Sequence, residues 1–220
     1  MSKETKTLLA IAATTLIILF GGIFLMSRSN KSSSNTSQVP ANSQLLVRSD
    51  SNKTATDSAS AKVTVVEFGD FVCPACQDAH PVTKQMLKDY DGKVNFVFRN
   101  FPLPQHTKAQ ISAEAAEAAG AQGKYWEMYE KIYENPGEWE NSESPLDVFS
   151  GYAKDIGLDM TKFENDVKAN KFSNKIQQDM ADGTALGITS TPTFYINGQQ
   201  LVGVPDYNSL KQIIDKILGS

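Results

Sequence analysis

Two cysteines two residues apart are the part of this sequence best suited to chemistry. Cys73-Pro74-Ala75-Cys76 holds the only cysteines of the 220-residue chain. At that spacing both sulfurs fall on one turn of a helix, close enough to form and break a bridge. A disulfide-stapled mini-domain needs more cysteines. A structural zinc site needs three or four clustered ligands, and the two histidines, His80 and His106, do not supply the spacing. The pair is therefore read as redox-active.

The flanking residues predict how the pair is held. Lys62 to Phe68 reads as a strand with β-branched Val63, Val65 and Val66, apolar on both faces and so central in a sheet. Gly69-Asp70 is a turn, and Cys73 to about Tyr90 reads as a helix with Val82, Met86 and Tyr90 on one face. Pro81 inside it predicts a kink. At the amino end of that helix, unpaired N–H groups and the dipole favour a thiolate at Cys73. Pro74 fits the first turn, where its missing N–H costs little. Cys76, one turn further in, is expected to be the buried partner that closes the bridge. A low pKa at Cys73 stabilises the reduced form and makes the disulfide oxidising. Ala75 offers no positive charge to that thiolate. Glu67 shares the Val63/Val65 face of the covered strand, where a carboxylate is costly unless paired; the functional reading is a proton relay for Cys76. Asp70 and Phe71 are expected to shape the approach to the site. His80 is expected to be structural, His106 a loop residue, and Arg99 the end of a second strand.

The remaining chain supplies the frame. Leu45-Leu46-Val47 is read as an edge strand, and 49–61 as polar turn. Lys93 to Arg99 alternates as a second strand, followed by an extended connector, Phe101 to Pro104. Residues 107–186 read as helical, with a turn at Asn135-Pro136-Gly137 and a helix from Pro145 capped by Ser144. The Trp126, Tyr and Met residues of this block are assigned to core packing. Asn197-Gly198 predicts a hairpin between Thr193–Ile196 and Gln200–Val204, and Tyr207 to Leu218 an amphipathic helix.

Forty per cent apolar and 21% charged residues is globular composition, and a net charge of −4 with scattered bases argues against nucleic acid as a partner. Leu8 to Met26 is uncharged and long enough to span a bilayer, without a small-residue cleavage pattern. The expected layout is a cytoplasmic tail at 1–7, a transmembrane signal anchor at 8–26, a flexible linker at 27–44 and a folded domain at 45–220. An oxidant of this type belongs outside the cytoplasm, so the chain is expected to be single-pass in the cell membrane with its domain extracytoplasmic.

Four stretches from about Lys62 onward are similar to the DsbA-like thiol-disulfide oxidoreductases, especially the membrane-anchored bacterial type. They are V-E-F-G-D-F-V-C-P-A-C, V-N-F-V-F-R-N-F-P-L, A-A-G-A-Q-G-K-Y-W-E-M-Y and G-I-T-S-T-P-T-F-Y-I-N-G. The resemblance implies an α/β, thioredoxin-like fold (core 45–106 and 187–220) with an all-helical insertion at 107–186, preceded by a single transmembrane helix. It implies catalytic roles for Cys73, Cys76, Glu67 and Pro192, the last in a cis peptide opposite the cysteines. Thr191, whose backbone would pair with an extended substrate, Pro74, Ala75 and Phe71 are expected to meet substrate. The implied activity is disulfide donation to reduced protein thiols by a monomer. No cofactor or metal is needed beyond the Cys73/Cys76 bridge. A quinone-linked membrane protein of the DsbB or vitamin K epoxide reductase type would restore the bridge. A reductase or isomerase of the same fold is the alternative, and a copper-binding thiol module a more distant one.

Overall fold

Strand β2, Val63–Gly69, is the axis of the sheet, and only Thr64 along it is not buried. It runs parallel to β3, Val94–Asn100, and antiparallel to β4, Thr193–Ile196. β1, Asn52–Lys53, and β5, Gln199–Val202, complete the order β1-β3-β2-β4-β5. Helix α2, Pro74–Asp89, makes the crossover that parallel neighbours require. The computed structural model describes residues 43–54 and 61–219. The chain divides into two units, Met1–Gln38 and Val39–Ser220. The first lies outside the described residues, as do the expected tail, the anchor and most of the linker. Among the described residues no helix is long and apolar enough to cross a membrane.

The alternation of β2 sorts the core into two layers. Val63 and Val65, with Phe96, Phe98 and Phe194, face a large cluster that takes in Cys76, Ala79 and Met86 of α2. The same cluster draws on helices α3 (Ala109–Gly120), α4 (Tyr125–Glu134), α6 (Pro145–Asp155), α7 (Met160–Lys168) and α9 (Tyr207–Leu218). Val66, Phe68, Val97 and Tyr195 face a smaller cluster with Leu46, Phe101 and Ile188. Helix α8, Ser173–Ala185, leaves the helical block and covers this second layer. Gly183 permits that approach, because a Cβ there would stand 2.7 Å from Phe101 Cε2 and 3.0 Å from Phe68 Cδ1. Gly183→Ala is therefore expected to destabilise the fold by about 1–2 kcal/mol, overpacking outweighing the gain in helix propensity. The urea midpoint reads this, and an unchanged or higher midpoint would contradict it.

Several expectations are corrected. Leu45 to Val47 is not an edge strand. Ser43–Leu46 forms the one-turn helix α1, and the carbonyls of Leu45 and Leu46 both accept from Arg99 Nη1 at 2.8 Å. Those bonds hold a strand-like sequence away from the sheet. Helix α1 also takes in Ser43 and Gln44, the last two residues of the expected linker. The edge strand is instead Asn52–Lys53, inside the stretch read as turn. Asn135-Pro136-Gly137 opens a short helix, α5, Pro136–Trp139, anchored by the fully buried Trp139, whose Nε1 donates to Ile132 O at 3.0 Å. The Ser144 hydroxyl makes no capping bond to α6. Helix α2 runs on through Pro81 as one element. At the hairpin tip, Asn197 (φ 45°) and Gly198 (φ 87°) both take the left-handed backbone that the turn requires. The Asn197 side chain also accepts from Thr64 N–H at 2.7 Å and donates to Lys62 O at 3.0 Å.

Candidate active site

β2 ends at Gly69, where a Cβ would meet Phe98 Cε2 at 2.5 Å, so only glycine lets the β3 ring close over the strand end. The chain then turns around the buried Asp70 carboxylate. Its Oδ1 accepts from Val72 N–H at 2.9 Å, and its Oδ2 accepts from Leu103 N–H at 2.8 Å and lies 2.7 Å from His106 Nδ1. Cys73 N–H donates to Asp70 O at 3.1 Å. The turn delivers Cys73 as the residue capping α2, with extended backbone, and Pro74 follows in the first turn. Cys76 N–H and Gln77 N–H donate to Cys73 O at 2.9 and 3.1 Å.

Both cysteines are free thiols in this structure. Cys73 keeps 7% of its surface and Cys76 none. Asp70 N–H donates to Cys76 Sγ at 3.4 Å. Facing the pair, the Thr191–Pro192 peptide is cis, and the Cys73 thiol donates to Thr191 O at 3.4 Å. Thr193 Oγ1 to Ser190 O at 2.8 Å and Gly203 N–H to Pro192 O at 2.9 Å brace this loop.

The two sulfurs are electrostatically opposite. A hydrogen bond from Cys76, with help from the Thr191 side chain and the backbone of Cys76 and Ala75, outweighs burial and holds the Cys73 thiol down to about 5. Burial first, then the hydrogen shared with Cys73, pushes the Cys76 thiol well above its ordinary value. Glu67 keeps 1% of its surface, and its Oε2 has no partner in the protein. Burial, reinforced by the charge of Cys73, pushes its carboxyl up to about 8. One sulfur is thus suited to leave or attack as a thiolate, and the other to hold its proton.

The structure brings Cys73, Cys76, Glu67, Thr191 and Pro192 together. Pro74 is exposed and Ala75 half-buried beside Cys73, so both line its approach. Phe71 does not: it is buried, with its ring 4.8 Å from Tyr133 and 5.3 Å from Phe98. Its expected contact with substrate is corrected to core packing, because the turn around Asp70 points the ring inward. Arg99 also lies away from the site, on the second layer, with its guanidinium 5.3 Å over the Phe68 ring. His80 is structural, stacked on Tyr133 with Nε2 3.3 Å from Glu130 Oε1. Sequence reasoning missed the Asp70–His106 contact; the two are 36 positions apart, and no spacing rule links them.

The raised Glu67 carboxyl has a consequence for stability. The folded chain holds this proton more tightly than the unfolded one between pH 4.5 and about 8. The stability it contributes is full below 4.5 and is lost as pH rises through 8, at about 1.4 kcal/mol per pH unit. Glu67→Gln should remove that loss. At pH 8 the variant is expected to be more stable than the parent by about 4 kcal/mol, and at pH 4 equal to it. Denaturant unfolding of the reduced proteins at the two pH values checks this; a parallel pH dependence in both would contradict it.

A family model described as Thioredoxin matches residues 52–216. Among solved structures, the chain is similar to the thiol-disulfide exchange protein alpha-DsbA2 of Wolbachia pipientis, with a TM-score of 0.71 and 24% identity over 83% of this chain and 95% of that one. It is also similar to oxidised BdbD of Bacillus subtilis, with a TM-score of 0.66 and 27% identity over 74% and 90%. Among curated proteins it matches the Na(+)/H(+) antiporter NhaA 1 of Salinispora arenicola, 36% identical over 155 residues, which is 70% of this chain and 23% of that protein. The chain thus spans about a quarter of the length of the curated relatives it matches.

Proposed function

This chain belongs to the thioredoxin family, and from that premise we propose that it is a thiol-disulfide oxidoreductase of DsbA type working as an oxidase. The observation that carries the reading is geometric: Cys73 caps α2 facing the cis Thr191–Pro192 peptide while Cys76, one turn in, has no exposed surface, and the Cys73 thiol is held below its ordinary value. A thiol that prefers to be a thiolate is a good leaving group and stabilises the dithiol, so the bridge tends to pass to other thiols.

The cycle starts with Cys73 and Cys76 bridged. A substrate thiolate attacks Cys73 Sγ, the bridge breaks, and the electron pair goes to Cys76 Sγ, which takes a proton. A second substrate thiolate attacks the substrate sulfur of the mixed disulfide and expels Cys73 as the thiolate. The products are a substrate disulfide and the reduced pair. The Thr191 backbone beside Cys73 Sγ offers an extended substrate a place to pair. Reduced secreted or surface proteins are the substrates in this reading. A quinone-linked membrane protein of the DsbB or vitamin K epoxide reductase type takes the electrons. An anchor at Leu8 to Met26, with the domain on the extracytoplasmic side, would raise the local concentration of that partner.

Equilibration with glutathione tests the direction. The expected reduction potential lies above that of thioredoxin, about −270 mV, and below that of the histidine-containing oxidant DsbA, about −120 mV. A value at or below the thioredoxin potential would favour a reductase and sink the proposal.

A further inference from the structure

We propose that a buried seam of tyrosine hydroxyls on α4 carries protons between Cys76 and a surface cleft beside Lys175. The proposal rests on the thiol-exchange reading and goes beyond it by assigning a route through the helical block.

Tyr125, Tyr129 and Tyr133 recur every fourth residue on α4 and are buried. The Tyr129 and Tyr133 hydroxyls lack a partner in the protein, and that of Tyr125 reaches the Asn52 side chain. Adjacent rings lie 6.5 and 4.9 Å apart. At one end is Glu67, whose Oε2 is also buried and unpaired. Its register partner on β3 is Phe98, whose ring lies 5.1 Å from Tyr129 and 6.3 Å from Tyr133. At the other end Tyr125 packs on Gly120, with its Cδ2 3.2 Å from where a Cβ would stand. There Glu117 accepts from Asn52 Nδ2 at 2.7 Å and Asn100 Nδ2 at 2.8 Å, and pairs with Lys175. Asn100 Oδ1 is a further unpaired buried atom. Asn52, Glu117, Gly120 and Lys175 line a cleft of about 270 Å³.

Buried polar atoms without a protein partner are characteristically satisfied by ordered water. A hydroxyl both accepts and donates, so a hydrated row of them passes a proton along. The charges at the two ends reach the seam: Cys76, Glu67 and Asp70 act on Tyr133, beside which His80 stacks, Glu67 and Cys76 act on Tyr129, and Glu117, Asp179 and Glu67 act on Tyr125. Glu67 itself faces Cys73.

The chemistry needs such a rear route. Opening the bridge leaves the electron pair on Cys76 Sγ, which takes one proton. Closing it removes that proton as Cys76 Sγ attacks Cys73 Sγ and the bound thiol leaves as thiolate. Cys76 has no exposed surface, and in the mixed disulfide the bound thiol covers the Cys73 side.

The test prepares the Cys73–glutathione mixed disulfide of the full chain and follows glutathione release between pH 6 and 8, in water and in D2O. Tyr129→Phe and Glu117→Gln are each expected to slow closure about tenfold and to raise its solvent isotope effect, with the Cys73 titration unmoved. Unchanged closure in both variants would overturn the seam. Slowing in Tyr129→Phe alone would overturn its exit beside Lys175. A parent chain that forms no mixed disulfide with glutathione would overturn the thiol-exchange reading first, and the seam with it.

Discussion

Replacing Cys76 by alanine is expected to turn the protein from a catalyst into a trap. Cys73 would still attack disulfides, but nothing would release what it captured, so complexes linked through Cys73 should accumulate on non-reducing gels. The same change removes the hydrogen bond that contributes most to holding Cys73 down to about 5. The remaining thiol should therefore titrate closer to an ordinary cysteine, read as thiolate absorbance in the ultraviolet. Cys73→Ser should go further and reduce exchange by roughly three orders of magnitude or more, because a serine hydroxyl at this position is not ionised. A metal-binding thiol module gives the opposite pattern, with no trapped partners and stoichiometric copper(I) uptake that either substitution weakens. Trapping without copper uptake is the outcome expected here.

The second large effect is on stability. Arg99 has no exposed surface. Its Nε donates to Asp179 at 2.7 Å and its Nη2 to Asp182 at 2.5 Å, while Nη1 serves the two α1 carbonyls. Asp179 in turn accepts from Asn100 N–H at 3.0 Å. Arg99→Met would leave two carboxylates facing each other with Arg48 and, beside Asp179, Lys175 as the remaining cations nearby. The expected loss is about 3–5 kcal/mol, most of it the cost of a buried charge without its partner. Adding Asp179→Asn to that variant should recover part of the loss, since it removes the more deeply buried charge. Chemical denaturation of the single and double variants measures both numbers. A single variant within about 1 kcal/mol of the parent, as for an exposed pair, would contradict this account.

How much could be read from the letters alone follows from the range of each interaction. The strand before Cys73, the helix after it, the Asn197-Gly198 hairpin and the last helix are written in local periodicity and turn chemistry, and they stand where expected. Glu67 was legible because a single carboxylate in an apolar run has few explanations. The fate of Leu45 and Leu46 was not, because it is decided by Arg99, 53 and 54 positions away. Phe71 was misplaced because proximity to Cys73 in sequence says nothing about which way the Asp70 turn throws a ring. The tyrosines of α4 were read as core, and their rings are core. Their hydroxyls carry the remaining information, and no pattern of apolar letters encodes whether a hydroxyl finds a partner.

The hairpin tip holds one more lesson, about which positions are free to drift. A loop tip is ordinarily the most permissive place in a domain. Here the Asn197 amide does the work of a missing strand residue, giving one bond to Lys62, just before β2, and taking another from Thr64 within it. Aspartate would lose the donor, and serine or glycine the reach. The outermost letter of the fold is thereby spelled by the backbone at the start of its innermost strand, and a change at this tip breaks two bonds to that strand.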